Sequence, residues 1–194
     1  MIKVVGKRLL LFSGGLDSTI VALMERPDAL LYIDWGHPAC KFEWRVCKWW
    51  QKHYLKMPLM KLKVSPTLSG EFDYIPARNL TFVSLAVNYA VAHNFNEVLI
   101  GLRADSPQPD TTPLWLQALN LFLSVIEPLP IKVVAPLHDV DLRALRETLR
   151  AYPLDRTFSC SLLNGYPCAI YPKDRWCAKC LEREAKLREL GLCD

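Results

Sequence analysis

The chain has 194 residues, of which 51% are hydrophobic, and this length and composition are typical of one domain with a buried core. The net charge is only +4, and basic residues are mixed with acidic ones, so charge neither requires nor excludes a nucleic-acid partner. No stretch reaches the roughly 18 apolar residues of a membrane span, and the first residues lack the features of a secretory signal. We therefore expect a cytoplasmic protein with no membrane partner.

Apolar runs with the length of strands alternate along the chain with stretches of helical spacing. The runs predict strands at Arg8–Phe12, Ala29–Ile33, Leu59–Val64, Glu97–Ile100 and Ile131–Val134. The spacing of apolar residues predicts helices at Leu16–Glu25, Lys41–Tyr54, Arg78–His93 and Pro113–Ile126. This alternation predicts a Rossmann-like, doubly wound α/β fold with a parallel five-stranded sheet.

The alternation ends after Val140. A short charged helix is predicted at Asp141–Arg150, and a final charged helix at about Cys180–Leu190. We divide the chain into a nucleotide-binding α/β domain, residues 1–150, and a four-cysteine tail, residues 151–194, packed on the same domain.

A glycine-rich loop, Ser13 to Ser18, joins the first strand to the first helix. Two glycines let backbone N–H groups approach phosphate oxygens, and the helix points its positive end at the same place. Because a bare carboxylate would repel a polyphosphate, Asp17 is assigned to a magnesium ion or to holding the loop. No Gly-Lys-Ser/Thr sequence closes the loop, so it is not a Walker loop, and we expect a bond other than that of the terminal phosphate to break. A turn with no ligand is the weaker alternative, because a strand precedes the loop and a helix follows it.

Four of the seven cysteines lie near the C-terminus, at Cys160, Cys168, Cys177 and Cys180. Four thiolates suit tetrahedral zinc, and a set of four leaves no open position for a catalytic water, so the predicted metal site is structural. A redox Cys-x-x-Cys pair is less favoured because two further cysteines are present, and the spacing alone does not reject an iron–sulfur cluster.

The loop pattern Ser-Gly-Gly-x-Asp-Ser resembles the signature of the PP-loop ATP pyrophosphatases, whose fold is adenine nucleotide alpha hydrolase-like. Together with the four cysteines, it makes the chain similar to the 7-cyano-7-deazaguanine synthase (QueC) family. Three further segments agree in order: Tyr74–Asn79 resembles the family's Val-Pro-x-Arg-Asn, Ala135–Leu137 its Thr-Pro-Leu, and Thr157–Cys160 its Thr-Trp-Ser-Cys.

The resemblance implies an ATP-dependent ligase that binds ATP, Mg²⁺ and Zn²⁺ as cofactors. Such an enzyme adenylates the carboxylate of 7-carboxy-7-deazaguanine and converts it with ammonia to the amide and then the nitrile, releasing AMP and pyrophosphate. The implied catalytic residues are Ser13, Asp17, Ser18 and Arg78. The implied ATP- and pyrophosphate-binding residues are Phe12, Ser13, Gly14, Gly15, Leu16, Asp17, Ser18, Thr19, Tyr32, Ile33 and Asp34. The implied substrate-binding residues are Arg78, Asn79, Gly101, Asp105 and Asp110. The alternative role for Arg78 is a salt bridge at a helix N-terminus. The alternative for Asp105 and Asp110 is that they are solvated carboxylates of a loop.

The chain departs from the family pattern at three places. Asp34–Pro38 reads Asp-Trp-Gly-His-Pro where the family has Tyr-Gly-Gln-x-His, the loop at Asp105–Thr111 is shorter, and eight residues separate Cys168 from Cys177. These differences concern the substrate, so an enzyme that joins the activated deazaguanine to another amine, including a protein amine, is the main alternative. A PP-loop tRNA-modifying enzyme is less favoured because no basic extension is visible, and a nucleotide sensor without turnover is a further alternative. The family resemblance also suggests a homodimer, for which the aromatic-rich helix at Phe42–Trp50 could supply apolar surface or could instead be core.

Overall fold

The computed structural model describes residues 6–64, 75, 77–104, 106, 108–126, 131–161 and 166–192. Five strands form one sheet: β1 Arg8–Leu11, β2 Ala29–Asp34, β3 Leu59–Lys63, β4 Glu97–Leu99 and β5 Lys132–Val134. Their order is β3-β2-β1-β4-β5, and every neighbouring pair is parallel. The predicted doubly wound α/β fold is therefore confirmed.

The helices are α1 Leu16–Glu25, α2 Cys40–Trp50, α3 Arg78–Ala92, α4 Pro113–Ile126, α5 Arg146–Leu149 and α6 Ala178–Glu189. Two predicted helices differ in their details. Helix α2 continues as one π-helical turn, Gln51–Leu55, and the helix predicted at Asp141–Arg150 is a 3₁₀ turn, Leu142–Leu145, followed by the single turn of α5. Among the described residues, no helix combines the length and apolar composition needed to cross a bilayer.

Both faces of the sheet are buried, because successive side chains of a strand point to opposite sides. Leu10 and Leu30 pack with α1 and α2 on one face, whereas Leu9 and Leu31 pack with α3 and α4 on the other. The result is a three-layer sandwich in which the inner strands β1 and β2 are nearly continuous apolar runs, whereas the edge strand β3 contains two lysines.

The C-terminal segment returns to the main core. Leu187 and Leu190, at the end of α6, are buried in the same cluster as Leu10 and Leu16. Helix α6 therefore lies against the first strand and helix, and one of its faces meets the end of the sheet where β1 joins α1.

Candidate nucleotide-binding site

A cavity of about 470 Å³ opens beyond the carboxyl ends of β1, β2 and β4. This is the edge at which the strand order reverses, since β1 lies between β2 and β4, and it is where ligands collect in sheets of this kind. Its volume lies within the range of small-molecule sites. The walls come from the glycine-rich loop, the end of β2, the start of α3, the residues after β4, the 158–161 segment and one face of α6.

The loop between β1 and α1 has the geometry of an anion site. Gly14 adopts a left-handed conformation, with φ of 72°, which only glycine takes at no steric cost. Ser18 Oγ donates to the carbonyl oxygen of Gly15 at 3.1 Å, and Ser13 Oγ lies 3.3 Å from Ser18 Oγ. Helix α1 begins at Leu16 without a side-chain cap, and the residues of its first turn line the cavity, so their N–H groups are available to an anion there.

The backbone after β4 passes unusually close to this loop. A Cβ atom added to Gly101 would lie 2.7 Å from the backbone nitrogen of Ser18. Glycine is required here because the strand end and the first turn of α1 leave no room for a side chain. Gly101, predicted to bind substrate, therefore also sets the position of the phosphate loop.

The C-terminal tail supports the loop from the other side. The N–H of Phe158 donates to the carbonyl oxygen of Gly14 at 3.0 Å. Arg183, on α6, donates from Nη1 to the carbonyl oxygens of Asp155 and Thr157 at 3.0 and 2.9 Å. The segment that precedes Cys160 is thus held between the phosphate loop and α6.

A charged group from α6 reaches the loop directly. Lys186 Nζ lies 2.9 Å from Asp17 Oδ2 and 2.8 Å from Glu182 Oε1. The other oxygen of Asp17, Oδ1, is buried and accepts no hydrogen bond from the described part of the chain. Burial raises the pKa of Asp17, and the attraction of Lys186 offsets this only in part. For Lys186, burial would lower the pKa, but the attraction of Asp17 and Glu182 outweighs it and the pKa is raised.

Sequence reasoning missed Lys186, as it missed Glu182 and Arg183, although a signal is present. Lys179, Glu182, Arg183 and Lys186 recur at three- and four-residue spacing and therefore share one face of α6, and all four line the cavity. The spacing reveals a polar face, but it does not reveal what that face covers.

Aromatic rings form another part of the wall. The rings of Trp35 and His37 stack with centroids 4.7 Å apart, and Phe82 meets Trp35 at 6.1 Å, edge to face. The N–H of Ala39 donates to His37 Nδ1 at 3.1 Å, which places the proton of a neutral ring on Nε2. Burial and the positive charges of Lys179 and Arg78 lower the pKa of His37, so the neutral ring is favoured. The sequence assigned no role to His37, and Trp35 stood out only as a departure from the family.

The predicted site residues divide into two groups. Arg78, Asn79 and Gly101 line the cavity beside the loop. Tyr32 contributes to the wall but is almost fully buried, and its hydroxyl lies 2.9 Å from Glu43 Oε2 and can donate to it.

Two other predicted residues lie outside the lining of the cavity. Asp34 pairs with Lys61 at 2.6 Å and does not line the cavity, and Asp110 is buried outside the lining. Asp105 lies outside the described residues, so its predicted role has no structural description.

The four predicted cysteine ligands come together. The Sγ atoms of Cys160, Cys168, Cys177 and Cys180 all lie within 4.8 Å of one another. In a tetrahedral zinc site with Zn–S bonds of about 2.3 Å the sulfurs are about 3.8 Å apart, so small side-chain shifts would close this set around one ion.

The surroundings of the sulfurs also fit a metal. The N–H groups of Cys168 and Cys177 each donate to the Sγ of another member at 3.3 Å, which favours thiolates. Burial raises the pKa of Cys168, so a bound cation would be needed to keep it ionised at neutral pH. Helix α6 begins directly after Cys177, and the cluster therefore fixes the helix that carries Lys186.

Comparison with known proteins identifies the family of this chain. The family profile described as "Queuosine biosynthesis protein QueC" matches residues 50–191, well over half of the chain. The chain belongs to the QueC family. The resemblance inferred from the motifs is confirmed, and the chain is assigned to a family of ATP-dependent ligases.

Individual relatives agree with this assignment. The 7-cyano-7-deazaguanine synthase 1 of Desulfitobacterium hafniense (strain Y51) is 28% identical over 94% of this chain and 91% of that protein. The 7-cyano-7-deazaguanine synthase of Nostoc punctiforme is 34% identical over 62% of this chain and 55% of that protein. A solved structure described as "predicted subunit of tRNA methyltransferase" from Methanocaldococcus jannaschii matches with a TM-score of 0.50 at 21% identity, covering 74% of each chain. At that identity it supports the α/β fold alone.

Proposed function

We propose that the chain is a 7-cyano-7-deazaguanine synthase, which uses ATP to activate the carboxylate of 7-carboxy-7-deazaguanine. The observation that carries the proposal is the cavity in which the phosphate loop, Arg78 and the polar face of α6 meet at the switch point of the sheet. Membership of the QueC family supports the same reaction.

The proposed chemistry uses the same activation twice. A substrate carboxylate oxygen attacks the α-phosphorus of ATP, and the bond to pyrophosphate breaks. Ammonia then attacks the acyl carbon, a proton is lost, and AMP leaves with the former carboxylate oxygen, which gives the amide. A second ATP activates the amide oxygen in the same way, and loss of AMP and protons from nitrogen gives the nitrile. Each step replaces a poor leaving group by AMP.

The residues of this chain hold the charge that moves in these steps. The N–H groups of the loop and the hydroxyls of Ser13 and Ser18 would bind the departing pyrophosphate. Arg78 is the first residue of α3 and lines the same cavity, where its guanidinium would neutralise phosphate charge. Asn79 lines the cavity next to it. The stacked rings of Trp35 and His37 offer a flat surface for a planar base.

Two metal ions fit the residues present. Asp17 would hold Mg²⁺ through the buried oxygen that the described residues leave unbonded, and the ion would supply charge neutralisation for the phosphates. The four cysteines would hold Zn²⁺, whose role is to fix the tail against the domain. Tyr32–Asp34 remain the predicted contacts for adenosine, and Asp110 a predicted contact for the base. The cytoplasmic location also remains a prediction.

A reaction mixture analysed by mass spectrometry tests the proposal. Purified protein, ATP, Mg²⁺, 7-carboxy-7-deazaguanine and ammonium should yield AMP together with the amide or the nitrile. Arg78→Gln should lose AMP formation, whereas Arg188→Gln, which removes the same charge from a half-exposed site on α6, should keep it. AMP without a free product would favour the other acceptor, and the intact mass of added protein would then show whether a protein amine is modified. No AMP at all would refute the proposal.

We further propose that two copies of the chain associate through α3 and α4. Arg78 is the one charged residue of these two helices, although 23% of the whole chain is charged. Helix α4 exposes five large apolar side chains, at Leu114, Leu121, Phe122, Val125 and Ile126. They present on the order of 500 Å² of apolar surface, as much as the largest patches of typical monomers.

A second copy is the occupant that suits this face. A surface without charge is complementary to itself, and a twofold axis would pack one α4 against the other. The aromatic helix α2, the surface considered from the sequence, is less suitable because Cys47 and Trp50 are fully buried. Light scattering should show a dimer that Leu121→Glu separates and that Lys52→Glu, on an exposed turn elsewhere, leaves intact. A monomeric wild type, or a Leu121→Glu dimer, would refute this interface.

A further inference from the structure

The phosphate loop contains no lysine of its own, but α6 brings one to it. Lys186 Nζ contacts Asp17 at 2.9 Å, and its side chain, which is only 15% exposed, lines the same cavity as Ser13 and Ser18. The two residues of this ion pair are 169 positions apart in the chain. The ammonium group therefore lies within one side-chain movement of the place where pyrophosphate would bind.

Helix α6 is fixed at both ends, so Lys186 is held next to the phosphate loop by a rigid helix. Its first turn follows Cys177 and contains Cys180, and its last turn buries Leu187 next to the core of β1 and α1. Between these ends, Arg183 is bonded to two backbone carbonyl oxygens. Because the helix already fixes the backbone of Lys186, only its side chain must be ordered when it binds a ligand.

Lys186 is shared between two carboxylates, Asp17 and Glu182, at the side of the loop. Further cations line the same cavity, namely Arg78, Arg103, Lys179 and Arg183, so its lining holds more cationic than acidic side chains and suits a polyphosphate. Phosphate oxygens are strong acceptors for an ammonium group, and a lysine acts as a compact charge that can change partners by rotating its side chain.

We propose that Lys186 is a second phosphate-binding cation beside Arg78, paired with Asp17 and Glu182 when no ATP is bound and transferred to the pyrophosphate portion of ATP when ATP binds. The lysine stays protonated throughout, and no covalent bond is made to it. The exchange leaves the carboxylate of Asp17 available at the loop. Lys186 continues to bind pyrophosphate after the bond to the α-phosphorus breaks, which stabilises the leaving group. The inference depends on the adenylation step of the proposed function but not on the identity of the acceptor.

Binding measurements with pyrophosphate test this assignment without the deazaguanine substrate. Calorimetric titration of the zinc-loaded protein with pyrophosphate, at saturating Mg²⁺, is compared for wild type, Lys186→Gln, Lys186→Arg and the control Arg188→Gln. A lost charged hydrogen bond should weaken pyrophosphate binding to Lys186→Gln by about 10- to 100-fold. Lys186→Arg should recover most of the affinity, and Arg188→Gln should match wild type. Adenosine binding, which does not involve the phosphate chain, should change less than about threefold in every variant.

A second variant gives a change of the opposite sign. Glu182→Gln removes one of the two carboxylates that hold Lys186, so pyrophosphate should bind more tightly, and in the Lys186→Gln background the same change should have a smaller effect. If Lys186→Gln binds pyrophosphate as wild type does, the proposal is wrong, even if the variant melts at a lower temperature. If the wild-type protein binds no pyrophosphate, the roles assigned to Lys186 and to the phosphate loop are both refuted. A wild type that binds pyrophosphate with the expected effect of Lys186 but makes no amide or nitrile refutes only the proposed substrate.

Discussion

Replacing Gly101 by alanine tests whether the residue after β4 must touch the phosphate loop. The added Cβ would lie 2.7 Å from the nitrogen of Ser18, 2.9 Å from its Cα and 3.0 Å from the carbonyl carbon of Asp17. These are backbone atoms of α1, so no side-chain rotation relieves the overlap. Because non-bonded carbon atoms prefer about 3.5 Å or more, the strand end and the helix must separate by on the order of 0.5–1 Å.

The cost of that separation should appear in stability and in binding. Overpacking of this kind costs about 1–3 kcal/mol, which lowers the folding equilibrium constant by a factor of about 5 to 140. Urea denaturation followed by tryptophan fluorescence measures the loss. The N–H donors of the loop would move by the same distance, so pyrophosphate should bind at least ~10-fold more weakly in a calorimetric titration.

Gly15→Ala is the matched control. Its Cβ would lie 3.2 Å from Ser13 Oγ and 3.3 Å from Ser159 Oγ, two hydroxyl groups that can rotate away, and the φ of Gly15 is −72°, which suits alanine. The expected loss of stability is below about 1 kcal/mol. If Gly101→Ala loses no more stability than Gly15→Ala and retains wild-type affinity, the close approach does not set the position of the loop.

Three further predictions concern other parts of the molecule. Asp17→Asn should abolish AMP formation while the fold and the zinc content stay intact; unchanged turnover would contradict the assignment of the loop to ATP. Elemental analysis should find one zinc per chain, and Cys177→Ser should lose both the zinc and soluble expression. Iron, or no metal, in the wild-type protein would contradict the assignment of a zinc site. Burial would raise the pKa of Asp34, but its bond with Lys61 outweighs this and the pKa is lowered. The stabilisation by this pair is complete above the unfolded pKa of about 3.9, and it is lost as the pH falls through the lower pKa of the folded state. Lys61→Met should therefore lower the melting temperature more at pH 6 than at pH 2. An equal decrease at the two pH values would contradict the stabilising role of the pair.

Local pattern was sufficient to predict the sheet. Strands buried on both faces need continuous apolar runs, and the observed bounds of all five lie within one residue of the predicted ones. Prediction was weaker at α2 and α5, where helical periodicity continues but the backbone changes to π-helical or 3₁₀ hydrogen bonding. At the start of the 3₁₀ turn the Asp141 side chain accepts a hydrogen bond from the N–H of Arg143, a local contact that competes with α-helical hydrogen bonding.

The phosphate loop and the set of four cysteines could be recognised from the sequence because each depends on spacing along a short stretch of chain, and the residue types themselves indicate an anion or a metal. The tertiary structure alone decided that the cysteine tail returns to the loop, that Lys186 pairs with Asp17, and that Gly101 touches Ser18. These partners lie in different elements, and their meeting depends on how whole helices pack on the sheet. A local pattern shows which face of α6 is polar, but the packing of Leu187 and Leu190 determines that this face covers the phosphate loop.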